Sequence, residues 1–503
     1  MPAYILNEKI ALRSWSNVSN AFYVRNHEMP RPLSAEEMQC LIKCDGTTVL
    51  EQNALIDSLI KRGFIREAKD GETLSDWQKY RKYNNRVVPY MTLEITQHCN
   101  FNCLHCFNAE DLKVPRNELT YDQIIGILDQ AVGCGIQNVL ITGGEPMLHP
   151  DFMKIMHAIY DRNMWVYELN TNGYFITPEI LDEMKSSGMN PKMKISFDGL
   201  GYHDIIRNVH GCEKRTLDAI ALCKKFGFEV RAQMQMNKFN LDSILPSLLK
   251  LDELGVDELR ITRTTESPRW NITCPGGSIT WTEFFRKGLE IADAYVKSEN
   301  RKMYVEYWPF LSVFPEKKQF LCWDVHYNES TFRMTRPLCK CNNGNISIGA
   351  NGNVYPCLQM SGAMDVLGVV LGNLLTTPLQ EILTKSLYSM LAHACVKERA
   401  DRNGRCGKCP YFHYCGGGCT LMGMIFNGDY FGADNSSCVF FRDQWHKKVA
   451  DTFVGWEDLA PIPDDIDPQY LIDLNIDEVP HIDMDALAAS KLEILEHLKN
   501  GLK

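Results

Sequence analysis

Between residues 86 and 263 one pattern recurs six times: a short run of β-branched or alternating apolar residues, a polar motif, then a helical stretch. The runs cover residues 90–96, 139–142, 165–170, 193–198, 228–236 and 258–262. Helices are predicted between them over 120–132, 151–162, 178–185 and 216–226, and from Asn240 to just before Gly255. Strands joined by helical crossovers pair in parallel. Six such units predict an α/β chain built on an open, partial (β/α)6 TIM-like barrel. In such sheets the loops leaving the strands' carboxyl ends converge on the ligand, so the polar motifs there define the expected site.

The first of these motifs is Cys99-Asn-Phe-Asn-Cys103-Leu-His-Cys106. A cubane iron-sulfur cluster normally takes four thiolates, so a loop with three leaves one iron without a protein ligand. A structural zinc site would need four closing ligands, and only His98 and His105 are at hand as a fourth. The next strand ends in Thr142-Gly143-Gly144-Glu145-Pro146, where two glycines permit close backbone approach to a ligand. Together the two motifs resemble those of the radical S-adenosylmethionine (radical SAM) enzymes.

That resemblance implies the following chemistry. Cys99, Cys103 and Cys106 hold a 4Fe-4S cluster whose open iron binds S-adenosylmethionine, and an electron from the cluster splits the sulfonium. The resulting 5'-deoxyadenosyl radical takes a hydrogen atom from substrate. Gly143, Gly144 and Glu145 hold the cofactor's amino end, Asn170 and Ser196 are candidates for its ribose, and Arg263 for its carboxylate. Strand-end Ser and Asn also commonly bond their own turn backbone. The stretch Asp198-Gly199 with His203, Asp204 and Arg207 resembles the family's fourth-strand loop.

A second cysteine set follows: Cys339, Cys341, Cys357, then Cys406, Cys409, Cys415, Cys419 and Cys438. Residues 346–355 read as a hairpin on Asn351-Gly352, which would put Cys357 opposite Ile346 and close to Cys341. The spacing resembles the SPASM domain, which holds two auxiliary 4Fe-4S clusters, for three clusters in all. The resemblance implies that Cys339, Cys341, Cys357 and Cys419 hold one and Cys406, Cys409, Cys415 and Cys438 the other. Cys322 is an alternative to Cys339, and a zinc ribbon on residues 406–419 is the rival metal site. Of the remaining cysteines, Cys40, Cys44, Cys134, Cys212, Cys223 and Cys395 are expected as core filler, and Cys274 as a possible active-site thiol.

Ahead of the barrel, Ser34 and Glu37 form a predicted capping box for a helix over 35–43. Residues 44–46 are expected to turn into a second helix over 51–62, with Ala54, Leu55, Leu59 and Ile60 on its inner face. Strand-like runs cover residues 4–6 and 21–25. The segment resembles a winged helix, and more narrowly the peptide-chaperone fold of pyrroloquinoline-quinone biosynthesis that grips a precursor's leader. Winged helices also read DNA, but Glu51 and Asp57 beside Lys61 and Arg62 leave no basic face, and the chain's net charge is -10. A leader can instead add itself to a sheet edge through main-chain hydrogen bonds.

The expected layout is thus a leader-recognition domain over 1–85, the radical SAM barrel over 86–310, a SPASM domain over 311–445 and an acidic extension over 446–503, ending in a helix over 485–498. The expected function is a peptide maturase installing an oxidative C–C or thioether crosslink in a ribosomally made precursor, with flavodoxin or ferredoxin as electron donor. The catalytic base is not assigned. An anaerobic sulfatase-maturating, formylglycine-forming enzyme is the alternative, although Leu358 stands where that group has an Asp after the cysteine. An iron-sulfur sensor acting on DNA is opposed by the acidic balance. The absence of a signal-peptide layout or long apolar span, with nineteen cysteines, implies a cytoplasmic, reduced protein that meets no membrane and no nucleic acid.

Overall fold

The computed structural model describes residues 2–27, 29–106, 116–322, 334–339, 344–427 and 429–479. Cys341 and the helix expected over 485–498 lie outside them.

The first 85 residues form two small sheets. In one, β1 (Ala3–Leu6) runs between antiparallel β5 (Asp45–Val49) and β6 (Ile65–Glu67). Helices α1 (Ala35–Ile42) and α2 (Ala54–Lys61) cover it, burying Met38, Leu41, Ile56 and Leu59 against Tyr4 and Leu6. The Ser34–Glu37 capping box is present. Two details differ from expectation. Residues 45–49 are a strand: Asp45 accepts from the amides of Thr47 and Thr48, a turn-like local motif that disguises the pairing with β1. The inner face of α2 is Ile56 and Leu59 with Leu55 partly buried beside them, while Ala54 and Ile60 are exposed, because Asn53 caps the helix so that Ala54 begins it at the surface and Ile60 falls to the solvent side of Leu59.

The second sheet runs β4 (Arg31–Pro32), β3 (Val18–Val24), β2 (Ile10–Trp15), β7 (Arg81–Lys82). Strand β2 is buried at every residue, Arg13 included, whose guanidinium donates to the carbonyls of Trp77 and Lys79 at 2.6 and 2.9 Å. Trp15 stacks on Tyr83, and the pair docks against Gly135 of the barrel, where a Cβ would come within 2.7 Å of the Tyr83 ring.

The barrel has the six expected strands: β8 (Tyr90–Thr96), β9 (Asn138–Gly143), β10 (Trp165–Thr171), β11 (Lys192–Ser196), β12 (Val230–Met236) and β13 (Glu258–Arg263), each parallel to the next. Crossover helices α3 (Tyr121–Gly133), α4 (Phe152–Asp161), α5 (Pro178–Ser186), α6 (His203–Arg207), α7 (Cys212–Lys225) and α8 (Ile244–Glu253) follow the strands. Thr120 and Gln123 build a second capping box at α3. Beyond β13 come α9 (Pro268–Thr273), α10 (Trp281–Lys297) and β14 (Tyr304–Trp308), a seventh parallel strand. Antiparallel β15 (Leu311–Phe314) and β16 (Gln319–Cys322), then β19 (Glu457–Asp458), extend that side.

On the opposite side β17 (Asn345–Ile348) pairs in parallel with β8, and β18 (Val354–Tyr355) closes the hairpin outside it. The cysteine-rich segment is therefore hydrogen-bonded onto the strand that launches the Cys99 loop, all within one sheet of twelve strands. The hairpin register pairs Ser347 with Tyr355 and Ile348 with Val354. Gly349 and Asn353 close a five-residue loop, which moves Cys357 one position from the place opposite Ile346. A two-residue turn would have given the other parity.

Candidate active site and auxiliary cysteine sets

Strand β8 is buried to its last residue, and the chain leaves it as the loop bearing Cys99, Cys103 and Cys106. The β9 loop lies directly on this one: the Gly144 amide donates to Thr96 O and the Glu145 amide to His98 O, both at 2.8 Å. A Cβ at Gly144 would lie 2.4 Å from His98 O, and one at Gly143 2.4 Å from Thr96 O. The glycines were expected to admit a ligand; here they admit the neighbouring cysteine loop. Gly144→Ala is expected to cost about 1–3 kcal/mol through overpacking against backbone and to lower the iron bound by reconstituted protein, read by denaturation midpoint and iron analysis.

Three further elements hold the cysteine loop. From α9, Arg269 Nε donates to Cys103 O at 2.8 Å and the Thr273 hydroxyl to Leu104 O at 2.9 Å. From the β10 loop, Asn172 Nδ2 reaches Asn100 Oδ1 at 2.8 Å and lies 4.0 Å from Cys99 Sγ. From α6, the buried Arg207 approaches Cys103 Sγ at 3.7 Å. Arg269 escaped the sequence reading; its one sequence signal is the Ser267-Pro268 start of a short helix. Cys103, Phe101 and Cys212 pack together, with Cys99 and Cys106 against them. Burial pushes the Cys99 thiol up to about 11, so iron binding there displaces protons.

Behind the loop stands Asp198, fully buried. Its Oδ2 pairs with Arg207 Nε at 2.7 Å and His105 Nε2 at 3.2 Å, and its Oδ1 accepts the Gln235 amide at 3.1 Å. Burial alone would raise the carboxyl, but the charges of Arg207 and His105 hold it well below the usual carboxylate range. The Asp198 amide donates to His203 Nδ1 at 3.0 Å, and burial lowers His203 to about 3, keeping it a neutral acceptor. Cys103, Arg207, Asp198 and His105 thus form one chain of contacts that starts and ends in the thiol loop and is anchored to the sheet end at Asp198. His105 Nδ1 is buried without a partner among the described residues.

The expected cofactor contacts divide. Glu145 is fully buried; it accepts from Thr171 Oγ1 and the Asn172 amide at 2.8 Å and from the Met147 amide at 3.2 Å, yet burial pushes it up to about 7. Such a carboxyl is stabilised as an anion by an added cation, which a methionyl ammonium supplies. Among the described residues Asn170 Oδ1 is buried without a partner, while its Nδ2 lies 3.5 Å from Thr142 Oγ1. Ser196 ends β11 half-buried beside Gln233. These three fit a polar cofactor over the strand ends. Arg263 has its guanidinium on Glu266 and Ile279 O, over the Trp281 ring at 4.8 Å, so the loop after β13 brings a carboxylate to the residue expected to meet the cofactor's. Cys274 closes α9, and burial raises its thiol.

The auxiliary cysteines separate into two groups. Cys406, Cys409, Cys415 and Cys438 lie within electrostatic range of one another, as do Cys339, Cys357 and Cys419. The SPASM resemblance implies the same two groups, with Cys341, outside the described residues, added to the second. Cys322 sits instead inside β16 opposite Leu311, its thiol facing the charge of Asp458. All described cysteines are free thiols. Among the described residues no three His, Cys, Asp or Glu side chains converge on a single-ion site, the geometry that a zinc knuckle or ribbon needs.

Residues 93–251 match the family model of the radical SAM superfamily, and residues 339–410 that of an iron-sulfur cluster-binding domain, SPASM. Among curated proteins, the AdoMet-dependent heme synthase of Methanosarcina barkeri is 25% identical over 340 residues, covering 67% of this chain and 92% of the relative. The pre-heme d1 synthase of Dinoroseobacter shibae is 26% identical over 356 residues, covering 69% and 85%. Among solved structures, Streptococcus suis SuiB bound to its precursor peptide SuiA aligns with a TM-score of 0.61 at 16% identity, covering 86% of this chain and 99% of that one. The enzyme anSMEcpe with bound AdoMet aligns at 0.53 and 17% identity, covering 72% and 96%.

Proposed function

This chain is a radical SAM protein with a SPASM domain, and from that premise we propose that it is a peptide maturase that forms an oxidative crosslink in a ribosomally made precursor. Its cofactors are S-adenosylmethionine and iron-sulfur clusters. When bound, they supply one-electron cleavage of the sulfonium and removal of a hydrogen atom from substrate.

We assign the roles left to the chain as follows. Cys99, Cys103 and Cys106 hold the cluster at the end of β8, with Arg207, Asn172 and Arg269 fixing their loop. Glu145, Asn170 and Ser196 orient the cofactor over the ends of β9 to β11. Cys339, Cys341, Cys357 and Cys419 hold a second cluster, and Cys406, Cys409, Cys415 and Cys438 a third, giving an electron released by product formation somewhere to go. A flavodoxin or ferredoxin is the proposed donor.

What supports a peptide substrate is the extent of the fold likeness: the alignment with the SuiB–SuiA complex takes in 86% of this chain. The heme-synthase relative leaves about a third of this chain without a counterpart, since it covers 67%. The leader would meet the sheet of β5, β1 and β6, whose outer strands each have one unpaired edge. Deleting residues 1–85 is expected to abolish precursor binding while 5'-deoxyadenosine formation persists; unchanged peptide affinity would overturn this role. No helix among the described residues is long and apolar enough to cross a membrane.

The decisive experiment incubates anaerobically reconstituted enzyme, S-adenosylmethionine and a low-potential reductant with small peptides encoded beside its gene. The expected product has lost two hydrogens in step with 5'-deoxyadenosine formation. An aldehyde product would favour the sulfatase-maturating reading.

A further inference from the structure

Arg399 lies in the helix Val396–Arg402 with no exposed surface. Its NH1 donates to Gly416 O and Gly418 O, each at 2.9 Å. The remaining nitrogens, Nε and NH2, are buried without a partner, and among the described residues Arg399 forms no ion pair. A buried guanidinium in that state is costly, because its charge has lost water without finding an anion. Asp434, the nearby carboxylate, is committed elsewhere: it accepts from Ser436 and from the Cys419 amide.

The two carbonyls that Arg399 holds belong to the glycine loop between Cys415 and Cys419. Gly416, Gly417 and Gly418 all take positive φ, at 61, 85 and 73°. A Cβ at Gly417 would meet Arg399 Cδ at 2.3 Å. That loop carries the chain from one auxiliary cysteine set to the other. Arg405, next to Cys406 in the chain, repeats the arrangement: among the described residues its Nε and NH2 are buried without partners, while NH1 donates to Asn435 Oδ1 at 3.3 Å.

We propose that Arg399, with Arg405 beside it, is a positioning residue for the auxiliary cluster of Cys406, Cys409, Cys415 and Cys438, clamping the loop between the two cysteine sets and adding fixed positive charge beside the cluster's negative charge. This rests on the ligand assignment above. A cubane gains one negative charge when it takes up an electron, so fixed cations and N–H donors beside it raise its reduction potential. The chain thereby makes this cluster the better electron acceptor.

The test uses full-length protein reconstituted anaerobically with iron and sulfide, titrated with dithionite and followed by electron paramagnetic resonance. Arg399→Gln is expected to shift the midpoint of one auxiliary signal to more negative potential, with iron content retained and the S-adenosylmethionine-sensitive signal unmoved. Arg399→Lys, which keeps the charge, is expected to restore most of that shift. A fully loaded Gln variant with an unchanged midpoint overturns the proposal. If Arg399→Gln does not fold, Arg405→Gln decides: a negative shift of the same signal supports the proposal, and an unmoved midpoint overturns it. Wild-type protein binding iron for one cluster alone would instead remove the ligand assignment itself.

Discussion

Cys103→Ala is expected to bring 5'-deoxyadenosine formation down to the uncatalysed background, because it removes the most deeply set of the three loop thiols, the one 3.7 Å from Arg207 NH1. Two sulfurs cannot hold the cubane, and no other cysteine is placed to substitute: Cys212 packs against Cys103, but its thiol donates to Asp204. Cys415→Ala should behave differently. That thiol is buried in a different segment, beside Cys406, Cys409 and Cys438, so cofactor cleavage should continue at a reduced rate while crosslinked product disappears. The two activities are read in one assay, as 5'-deoxyadenosine and peptide mass by liquid chromatography with mass detection. Equal loss of both in Cys415→Ala would mean that the second cysteine segment serves the fold alone.

Asp198→Asn is expected to destabilise the barrel by about 3–5 kcal/mol, the scale for removing one partner from a buried ion pair. The substitution leaves Arg207 buried at the end of β11 with a neutral amide, and it weakens the grip on His105 inside the cysteine loop. The lost free energy should appear in the denaturant midpoint of apo-protein, and iron uptake should fall with it. In the native chain the contribution has the sign of a depressed carboxylate: full above the unfolded value near 3.8, and lost as the pH falls below it. An Asn variant as stable as the parent, with full iron, would show that the Arg207 charge is compensated elsewhere.

Much of this was legible in local pattern. The six parallel strands follow from alternating apolar runs, and the helix starts at Ser34 and Thr120 from their capping boxes. What stayed hidden has a common cause: it depends on residues far apart in the chain. Strand β2 carries Arg13 and Ser14 in its middle, and only the distant carbonyls of Trp77 and Lys79 make that arginine acceptable inside. The purpose of Gly143 and Gly144 is set by the carbonyls of residues 96–98, and the fate of Arg263 by a carboxylate on the following loop. Strands β14 to β16 were missed because the Pro- and Gly-containing stretch after β13 interrupts the periodicity. The five-residue hairpin loop shifted Cys357 by one position, which counting from a tight Asn-Gly turn could not reveal.

The parallel pairing of β17 with β8 makes the backbone a ruler. Thr92, Asn345 and Ser347 share side-chain hydrogen bonds across that seam, and Glu94 accepts the Ala350 amide at 3.1 Å. The cysteine-rich segment after the hairpin and the Cys99 loop at the end of β8 are therefore tied to one rigid piece of sheet, so a shift of either strand along the seam is carried to both.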